Sequence, residues 1–234
     1  MKFRLRFRVI DGILIFVISC INSKAKSGKV IRKMEKEVMK SAVLEVIKRR
    51  RSTRAFLKDP VPENILNEII EAGRLAPSAS NTQLTSFYVI TNPEKLAEIK
   101  AAMTVSLAGM QEEESMPAPI KARIKLAKEG KEVDVIYGAP AVIVTANKKG
   151  APTSNPDCSC CLMNMMLTAC ANDVANVWIN QFFQFSDAPA VRSIFTALGL
   201  ANDEDLFGAL ALGYAETIES TPLPRTGFAV KYIR

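Results

Sequence analysis

The chain has 234 residues, of which 48% are hydrophobic and 24% charged, a composition typical of a globular protein that buries a substantial core. It contains no histidine, which excludes a Ser-His-Asp triad, a Cys-His pair and any His-ligated metal site. Residues 1–33 hold nine Lys/Arg and one Asp, a charge of +8, whereas residues 34–234 hold 22 Lys/Arg and 23 Asp/Glu, a charge of −1. The nearly neutral body argues against a nucleic-acid-binding protein.

Residues 1–33 differ in composition from the rest and are predicted to lie outside the fold, which leaves 34–234 as one domain. A basic start precedes a mostly apolar run at 12–21, the order of a signal peptide, and the run is too short to span a bilayer. Three interpretations stay open: a mis-assigned start upstream of Met34, a lipoprotein signal that anchors the chain to a membrane through Cys20, and a disordered or interfacial arm. We expect a cytoplasmic protein or, under the second interpretation, a membrane-anchored lipoprotein.

Helical and strand patterns alternate along the rest of the chain. Helices are predicted at 35–48, 62–75, 92–102, 120–128, 156–171 and 189–198, and buried strands at 87–90, 141–145, 174–179 and 207–212. This alternation predicts an α/β or α+β layered fold. Acidic and proline residues interrupt the pattern within 103–137, and two interpretations of that stretch stay open, a mobile lid and an irregular surface excursion.

Two polar stretches carry the functional signal. The first is Arg-Arg-Arg-Ser-Thr-Arg at 49–54, directly after a predicted helix, and the second is Ala-Pro-Ser-Ala-Ser-Asn-Thr-Gln at 76–83, between a predicted helix and a strand. A basic run at a helix end is usually only a solvated face, but here a polar loop follows it. Guanidinium groups bind phosphate in a bidentate way, and a few placed polar groups orient a ligand in its pocket. Together they predict a site for a phosphate-bearing ligand with a polar ring.

The two stretches resemble the signature of the nitroreductase family of FMN flavoproteins, an Arg-Arg-Ser-x-Arg-x-Phe run followed by Ala-Pro-Ser-x-x-Asn-x-Gln. The resemblance covers roughly residues 38–234. It implies an α+β fold of α/β/α layers, with a central mixed sheet flanked by helices, in an intertwined homodimer that exchanges its C-terminal tails. It also implies an enzyme that passes a hydride from NADH or NADPH through flavin N5 to a small electron-poor acceptor, a nitroaromatic or a quinone, with ping-pong kinetics. Since the cofactor carries this chemistry, a chain without histidine suits it.

The resemblance implies FMN-binding residues in four segments and no catalytic side chain. These residues are Arg50, Arg51, Ser52 and Arg54 in the first motif, Pro77, Ser78, Ser80, Asn81 and Gln83 in the second, Asn180 and Gln181 after the third predicted strand, and Arg225 near the C-terminus. The first group is implied to contact the phosphate, the ribityl chain and the flavin O2/N1 edge. A cation at that edge, the role given to Arg54, raises the flavin redox potential. Arg49 fits a solvated helix end better.

The other three segments carry departures from the family pattern. The second motif is implied to come from the other subunit and to close over the flavin, but Leu84-Thr85 stands where the family commonly has Pro-Trp. The segment at 180–181 is implied to run past flavin N5, although a glycine that the family often has nearby is missing. The stretch Pro-Leu-Pro-Arg at 222–225 resembles the family's C-terminal basic pair, but only Arg225 keeps a charge, because Leu223 replaces the other cation. Two alternatives therefore stay open: other flavin chemistry of the same family, such as dehalogenation or flavin fragmentation, and a non-catalytic FMN-binding or storage protein.

The cysteine-rich stretch Asp-Cys-Ser-Cys-Cys at 157–161 looks like a metal motif, but we predict no metal site there. Side chains at adjacent and i,i+2 helical positions point in different directions, so the thiols cannot converge on one ion. We interpret them as small buried helix residues and Trp178 as a core strand residue. No Gly-rich phosphate loop is present, so the nicotinamide is expected to bind transiently at the flavin face.

Overall fold

The computed structural model describes residues 6–10, 13–17, 26–217, 224–227 and 229–234, in two compact units, Met1–Ile47 and Lys48–Arg234. In the first unit, strands β1 (Arg6–Ile10) and β2 (Ile13–Val17) pair antiparallel. Helix α1 (Lys26–Arg49) follows and begins earlier than the predicted start at residue 35. No proline lies within it to stop the helix. Cys20 lies outside the described residues, and the leader at 1–33 stays a prediction.

Within the described residues of the second unit, four strands form the central sheet. They are β3 (Ser86–Ile90), β4 (Ala141–Lys148), β5 (Ala175–Ile179) and β6 (Glu204–Gly213), in the order β3-β4-β6-β5. All three strand pairs are antiparallel. The parallel component is a single bridge between Ser52 and Asn176 at the free edge of β5, which brings the first polar stretch to the sheet.

Helices cover both faces of this sheet. Alternate residues of β4 enter two different cores, Val142 and Val144 on one face and Ala141 and Ile143 on the other, as the period of a strand requires. The first core is closed by α3 (Pro93–Ala108), α4 (Ala118–Lys128), α6 (Gln181–Gln184) and α7 (Pro189–Ala197), and the second by α2 (Glu63–Arg74) and α5 (Ser154–Ala171). The predicted α/β/α layering is therefore present.

Helices α2 and α5 pack very closely. A Cβ atom on Gly73 would lie 2.2 Å from Met165 Cε, so a larger residue at this position would require the Met165 side chain to move. Leu66 and Ile69 of α2 are buried in the second core. Leu75, the last residue of the helix predicted at 62–75, is 75% exposed, because α2 ends at Arg74.

Much of the stretch 103–137 is helical and contributes to the core, although 109–117 form an exposed, irregular connection. Helix α3 continues to Ala108, six residues beyond its predicted end at 102, and α4 follows. Ile124 of α4 and Ile136 after it are fully buried in the first core. The stretch therefore contributes to the core. In the described part of the chain, no helix has the length and apolarity needed to cross a bilayer.

Candidate functional site

The segment after α1 is fixed to the sheet by backbone hydrogen bonds. The N–H of Thr53 donates to the carbonyl of Asn176 at 3.0 Å, and the N–H of Leu57 donates to the carbonyl of Tyr214 at 2.8 Å. Between them Phe56, 3% exposed, is buried in the core. The apolar end of the motif thus anchors its polar start at the edge of β5, where Ser52 and Arg54 lie beside open space.

A cavity of about 700 Å³ lies against this segment, within the size range of cofactor and ligand sites. Its walls come from the polar segment, from the end of α5 with the strand β5 that follows it, and from the chain after β6. The lining residues are Arg49, Arg51, Ser52, Thr53, Arg54, Ala55, Cys170, Asp173, Val174, Ala175, Asn176, Tyr214, Ala215 and Thr217. Five of the six residues at 49–54, all except Arg50, therefore share one concave surface with β5.

Two guanidinium groups of the arginine segment, that of Arg51 in the cavity wall and that of the adjacent Arg50, carry buried N–H groups without a partner. Within the described residues, Arg50 Nη1 and Arg51 Nε are buried and make no hydrogen bond. Arg51 Nη1, by contrast, donates to the carbonyls of Lys48 at 2.5 Å and Arg50 at 2.8 Å, which fixes the side chain against the end of α1. Buried donors are rarely left unpaired because the loss of hydration is costly. The arrangement therefore suits an acceptor that comes from a ligand.

The electrostatics of Arg50 indicate the charge of that ligand. Burial lowers the pKa of its guanidinium, and the positive charges of Arg225 and Arg51 lower it further, against an opposing effect of Cys170. An arginine stays protonated at neutral pH, so three cations lie near each other at this point. An anion would relieve both the repulsion and the unsatisfied donors.

Asn176 is a site residue that the sequence did not reveal. It lines the cavity and is 1% exposed. Its Nδ2 donates to the carbonyl of Met166 at 3.1 Å, but its buried Oδ1 has no partner within the described chain. The available signal was one amide in the otherwise apolar strand pattern at 174–179, which alone does not distinguish a ligand contact from a core hydrogen bond.

Arg49, expected at a solvated helix end, is exposed but lines the cavity and contacts the end of α5. Its Nη2 donates to the carbonyl of Cys170, and it forms an ion pair of 3.1 Å with Asp173. Both side chains of the ion pair are exposed, so the pair contributes little to stability. It ties the end of α1 to the end of α5, at the rim of the cavity.

The second motif forms a strained, exposed loop. It contains a 3₁₀ turn, Ala79–Asn81, and three of its non-glycine residues have positive φ, 51° at Ser80, 55° at Asn81 and 53° at Gln83. Ser78 Oγ accepts from the N–H of Gln83, and Gln83 Nε2 donates to Asn81 Oδ1, both at 3.0 Å. Pro77, like Asn81 and Gln83, is exposed. The described residues that line the cavity beside the arginine segment include no residue of this loop from the same chain.

The remaining predicted site residues lie apart from the cavity walls. Asn180 follows β5 and is exposed, and its carbonyl accepts from the N–H of Phe183 at 3.0 Å. Gln181 is the half-buried first residue of α6. Arg225 is exposed, and its charge acts on Arg50. The structure thus brings the first motif close to Asn176 and to the charge of Arg225. The roles predicted for 77–83 and 180–181 stay predictions.

Two other predictions from the sequence concern the helix and strand behind the site. Trp178 packs in the second core against Gly208, where a Cβ would lie 3.1 Å from Trp178 Nε1, so the core assignment is confirmed. Cys158 and Cys161 are buried as expected, whereas Cys160 is exposed, because its helical position faces away from the sheet. Cys158 and Cys161, three positions apart, share the buried face of α5, and Cys160 lies on the exposed side.

A layered α+β fold with a cationic cavity beside an edge strand defines a protein that binds an anionic organic cofactor. The model of the Nitroreductase family matches residues 47–214, which include both motifs and the whole sheet. The chain belongs to the nitroreductase family, as the two motifs predicted.

Individual relatives agree with this assignment. A solved nitroreductase with bound FMN from Bacteroides fragilis is 30% identical, with a TM-score of 0.69 over 82% of this chain and 97% of that one. Nitrobenzene nitroreductase from Ectopseudomonas oleovorans is 25% identical over 74% of this chain and 86% of its own length. The 4-nitrobenzoate reductase of Pseudomonas putida is 48% identical over 52 residues, 22% of this chain and 23% of its own length. The predicted layered α+β fold is confirmed, and the intertwined homodimer with exchanged C-terminal tails stays a prediction.

Proposed function

We propose that this protein is an FMN-dependent oxidoreductase that takes a hydride from NADH or NADPH and passes it to a small electron-poor acceptor of the nitroaromatic or quinone type. The observation that carries the proposal is the pair of buried, unpartnered N–H groups, Arg50 Nη1 and Arg51 Nε, in a segment of which Arg51 lines a cavity of about 700 Å³. A phosphate supplies both the negative charge and the acceptor oxygens that these groups lack. Membership of the nitroreductase family supports FMN as the phosphate ester.

The residues present fit this cofactor. Arg50 and Arg51, with Arg225 nearby, would hold the phosphate. Ser52 and Asn176, which line the cavity, supply a hydroxyl and a buried amide oxygen for the hydroxyls of the ribityl chain. Bound FMN would supply the hydride-transfer chemistry at N5, with the protein supplying binding, orientation and electrostatics.

Arg54 is the residue best placed to act on the flavin ring. It lines the cavity and is exposed, and its bond to the carbonyl of Ser52 is long, 3.4 Å. Its guanidinium is therefore weakly held within its own chain and is available to the O2/N1 edge of the ring. A positive charge there stabilises an anionic reduced ring.

The proposed functional unit is a homodimer in which each cavity is completed by the partner's loop at 77–83 and C-terminal tail. Two observations support it. The loop is exposed and does not line the cavity of its own chain, and large apolar side chains are left exposed on α1 and in the tail. Val38, Met39, Val43, Leu44 and Ile47 of α1 are 46–68% exposed, and Val230, Tyr232 and Ile233 of the tail are 70–98% exposed. Such a surface is typical of a protein–protein interface.

Anaerobic reduction tests the function. The purified protein should carry FMN, and mixing with NADH or NADPH should bleach the bound flavin rapidly, followed by reoxidation with a nitroaromatic or a quinone. A storage protein would stay oxidised with both nucleotides. Reduction without transfer to either acceptor would point to other flavin chemistry, such as dehalogenation or flavin fragmentation.

A cytoplasmic location and a leader outside the fold belong to the same proposal. Deleting residues 1–33 should leave FMN content and NAD(P)H oxidation unchanged, although it shortens α1. Membrane fractionation and intact-mass analysis distinguish a lipoprotein from a shorter native chain, because only a lipoprotein is lipidated at Cys20 and released by Cys20→Ala. Loss of flavin on deletion would instead show that the leader supports the domain.

A further inference from the structure

We propose that Asp157 is a positioning residue that holds the loop at 77–83 in the strained form in which it meets the cofactor. The proposal rests on the function proposed above, since the loop is a cofactor loop only in that case. Asp157 Oδ1 accepts from the backbone N–H of Ala79 at 3.1 Å, the first residue of the 3₁₀ turn. Asp157 is 7% exposed and lies 78 positions away in sequence, on the neighbouring helix α5.

The loop needs an external anchor. Left-handed backbone conformations at Ser80, Asn81 and Gln83 are unfavourable for residues with a Cβ and persist only where the surroundings impose them. The bonds inside the loop, from Gln83 to Ser78 and to Asn81, are exposed and open to competition by water. The bond from Ala79 to the buried carboxylate is charge-assisted and shielded, so it is the stronger constraint.

The residue after Asp157 holds the other end of the loop. Cys158 Sγ lies 3.8 Å from Thr85 Oγ1, which also accepts from Asn147 Nδ2 at 3.1 Å. Asn147 belongs to β4, so this end is tied to the central sheet. Two consecutive residues in the first turns of α5 thus contact the chain on both sides of the loop.

Helix α5 is itself well fixed at this point. Ser154 Oγ donates to the carbonyl of Lys148 at 2.8 Å, which joins the first residue of the helix to the end of β4. A carboxylate in a first helical turn is also favoured by the helix dipole. Asp157 therefore presents a rigid acceptor to Ala79.

The experiment compares Asp157→Ala, Asp157→Asn and the control Asn155→Ala in the full-length protein as isolated. The Asn variant keeps an acceptor oxygen, and Asn155 is an exposed residue of the same turn. For Asp157→Ala we expect hydrogen exchange across 79–83 to speed up and FMN to bind less tightly, each by on the order of tenfold, with an altered visible spectrum of the bound flavin. Asp157→Asn should restore most of each property, and the control should leave all three unchanged.

Ala79→Pro removes the donor and leaves the carboxylate in place. Proline suits the first position of a turn, and Ser78 already has the extended conformation, φ −129° and ψ 153°, that a residue before proline adopts. This variant should weaken FMN binding as Asp157→Ala does, and the double variant should be no worse than either single one. If Asp157→Ala does not fold, Ala79→Pro and Asp157→Asn still test whether the hydrogen bond from Ala79 to Asp157 holds the loop.

Unchanged loop exchange and unchanged FMN affinity in Asp157→Ala or Ala79→Pro would overturn the proposal, as would full additivity in the double variant. Equal losses in Asp157→Asn and Asp157→Ala, with a lowered melting temperature and an unaltered flavin spectrum, would show a general structural role and would also overturn it. If the unaltered protein bound no FMN, the proposed function would fail. In that case the hydrogen-exchange measurement would still test the anchor.

Discussion

The two polar motifs of this chain are built in opposite ways. The arginine segment is paired to an edge strand by backbone hydrogen bonds, and its unsatisfied groups lie beside a cavity of its own chain. The loop at 77–83 is exposed and strained, and a carboxylate from another helix holds its start. One motif supplies the walls of a site and the other supplies groups that face outward. This difference is why we propose a second copy of the chain to complete the site.

Subunit mixing is the strongest test of that division. Arg51→Ala removes a guanidinium that lines the cavity, and Asn81→Ala removes a polar side chain of the loop at 77–83. Each homodimer should therefore lose FMN. A heterodimer made by refolding the two together has one site with both residues intact, and FMN binding should return. Flavin fluorescence after mixing measures the recovery. No recovery, or a monomer by light scattering that still holds FMN, would contradict the proposed division.

Single substitutions distinguish Arg50, the proposed phosphate ligand, from Arg49 at the end of α1. Arg50→Ala should weaken FMN binding by about 3 kcal/mol, more than a hundredfold, because two charge-assisted hydrogen bonds to phosphate are lost. Arg49→Ala is the matched control and should cost under about 1 kcal/mol, since Arg49 forms an exposed ion pair with Asp173. Titration with FMN measures both affinities. Equal losses of FMN affinity in Arg50→Ala and Arg49→Ala would place the phosphate at the rim of the cavity.

The pH dependence of stability tests how firmly the end of the loop is packed on α5. Burial raises the pKa of the Cys158 thiol from 9.0 to about 11, so between these values the unfolded chain loses the proton that the folded chain keeps. Stability is therefore unaffected below about pH 9 and falls as the pH rises towards 11, by about 2 kcal/mol at pH 11. Cys158→Ser should remove this part of the slope in urea unfolding.

Cys160→Ser is the control for that measurement, because its thiol is exposed. It should leave the difference in unfolding free energy between pH 8 and 11 as it is in the unaltered protein. If Cys158→Ser also left the slope unchanged, the thiol would be in contact with water in solution. The second anchor of the loop would then be looser than the structure shows.

Sequence patterns predicted the local parts of this molecule and missed its long-range contacts. The arginine segment was evident because charge, order and the following loop are all visible along the chain. The partner of Ala79 was not, because Asp157 lies 78 residues away and looked like one of several small helix residues. Asn176 was hidden in a strand pattern for a similar reason.

The first helix shows the other limit of sequence patterns. The apolar residues at 38–47 have the helical period from which a helix at 35–48 was predicted, yet Val38, Val43, Leu44 and Ile47 are exposed in the single chain. Periodicity shows that a face is apolar and does not show which surface covers it. A face covered by a second copy has the same pattern as one covered by its own core.

The smallest expected effect concerns the strain of the loop. Ser80 has φ 51°, where glycine carries no steric penalty, so Ser80→Gly should relieve strain and lose some of that gain to the greater freedom of the unfolded chain. We expect a change in the free energy of unfolding between zero and about 1 kcal/mol of stabilisation. The same substitution at Ser159, within helix α5, should destabilise by roughly 0.5 kcal/mol. Urea unfolding of the two variants measures this difference in sign, and an equal loss in both would show that the loop is not strained in solution.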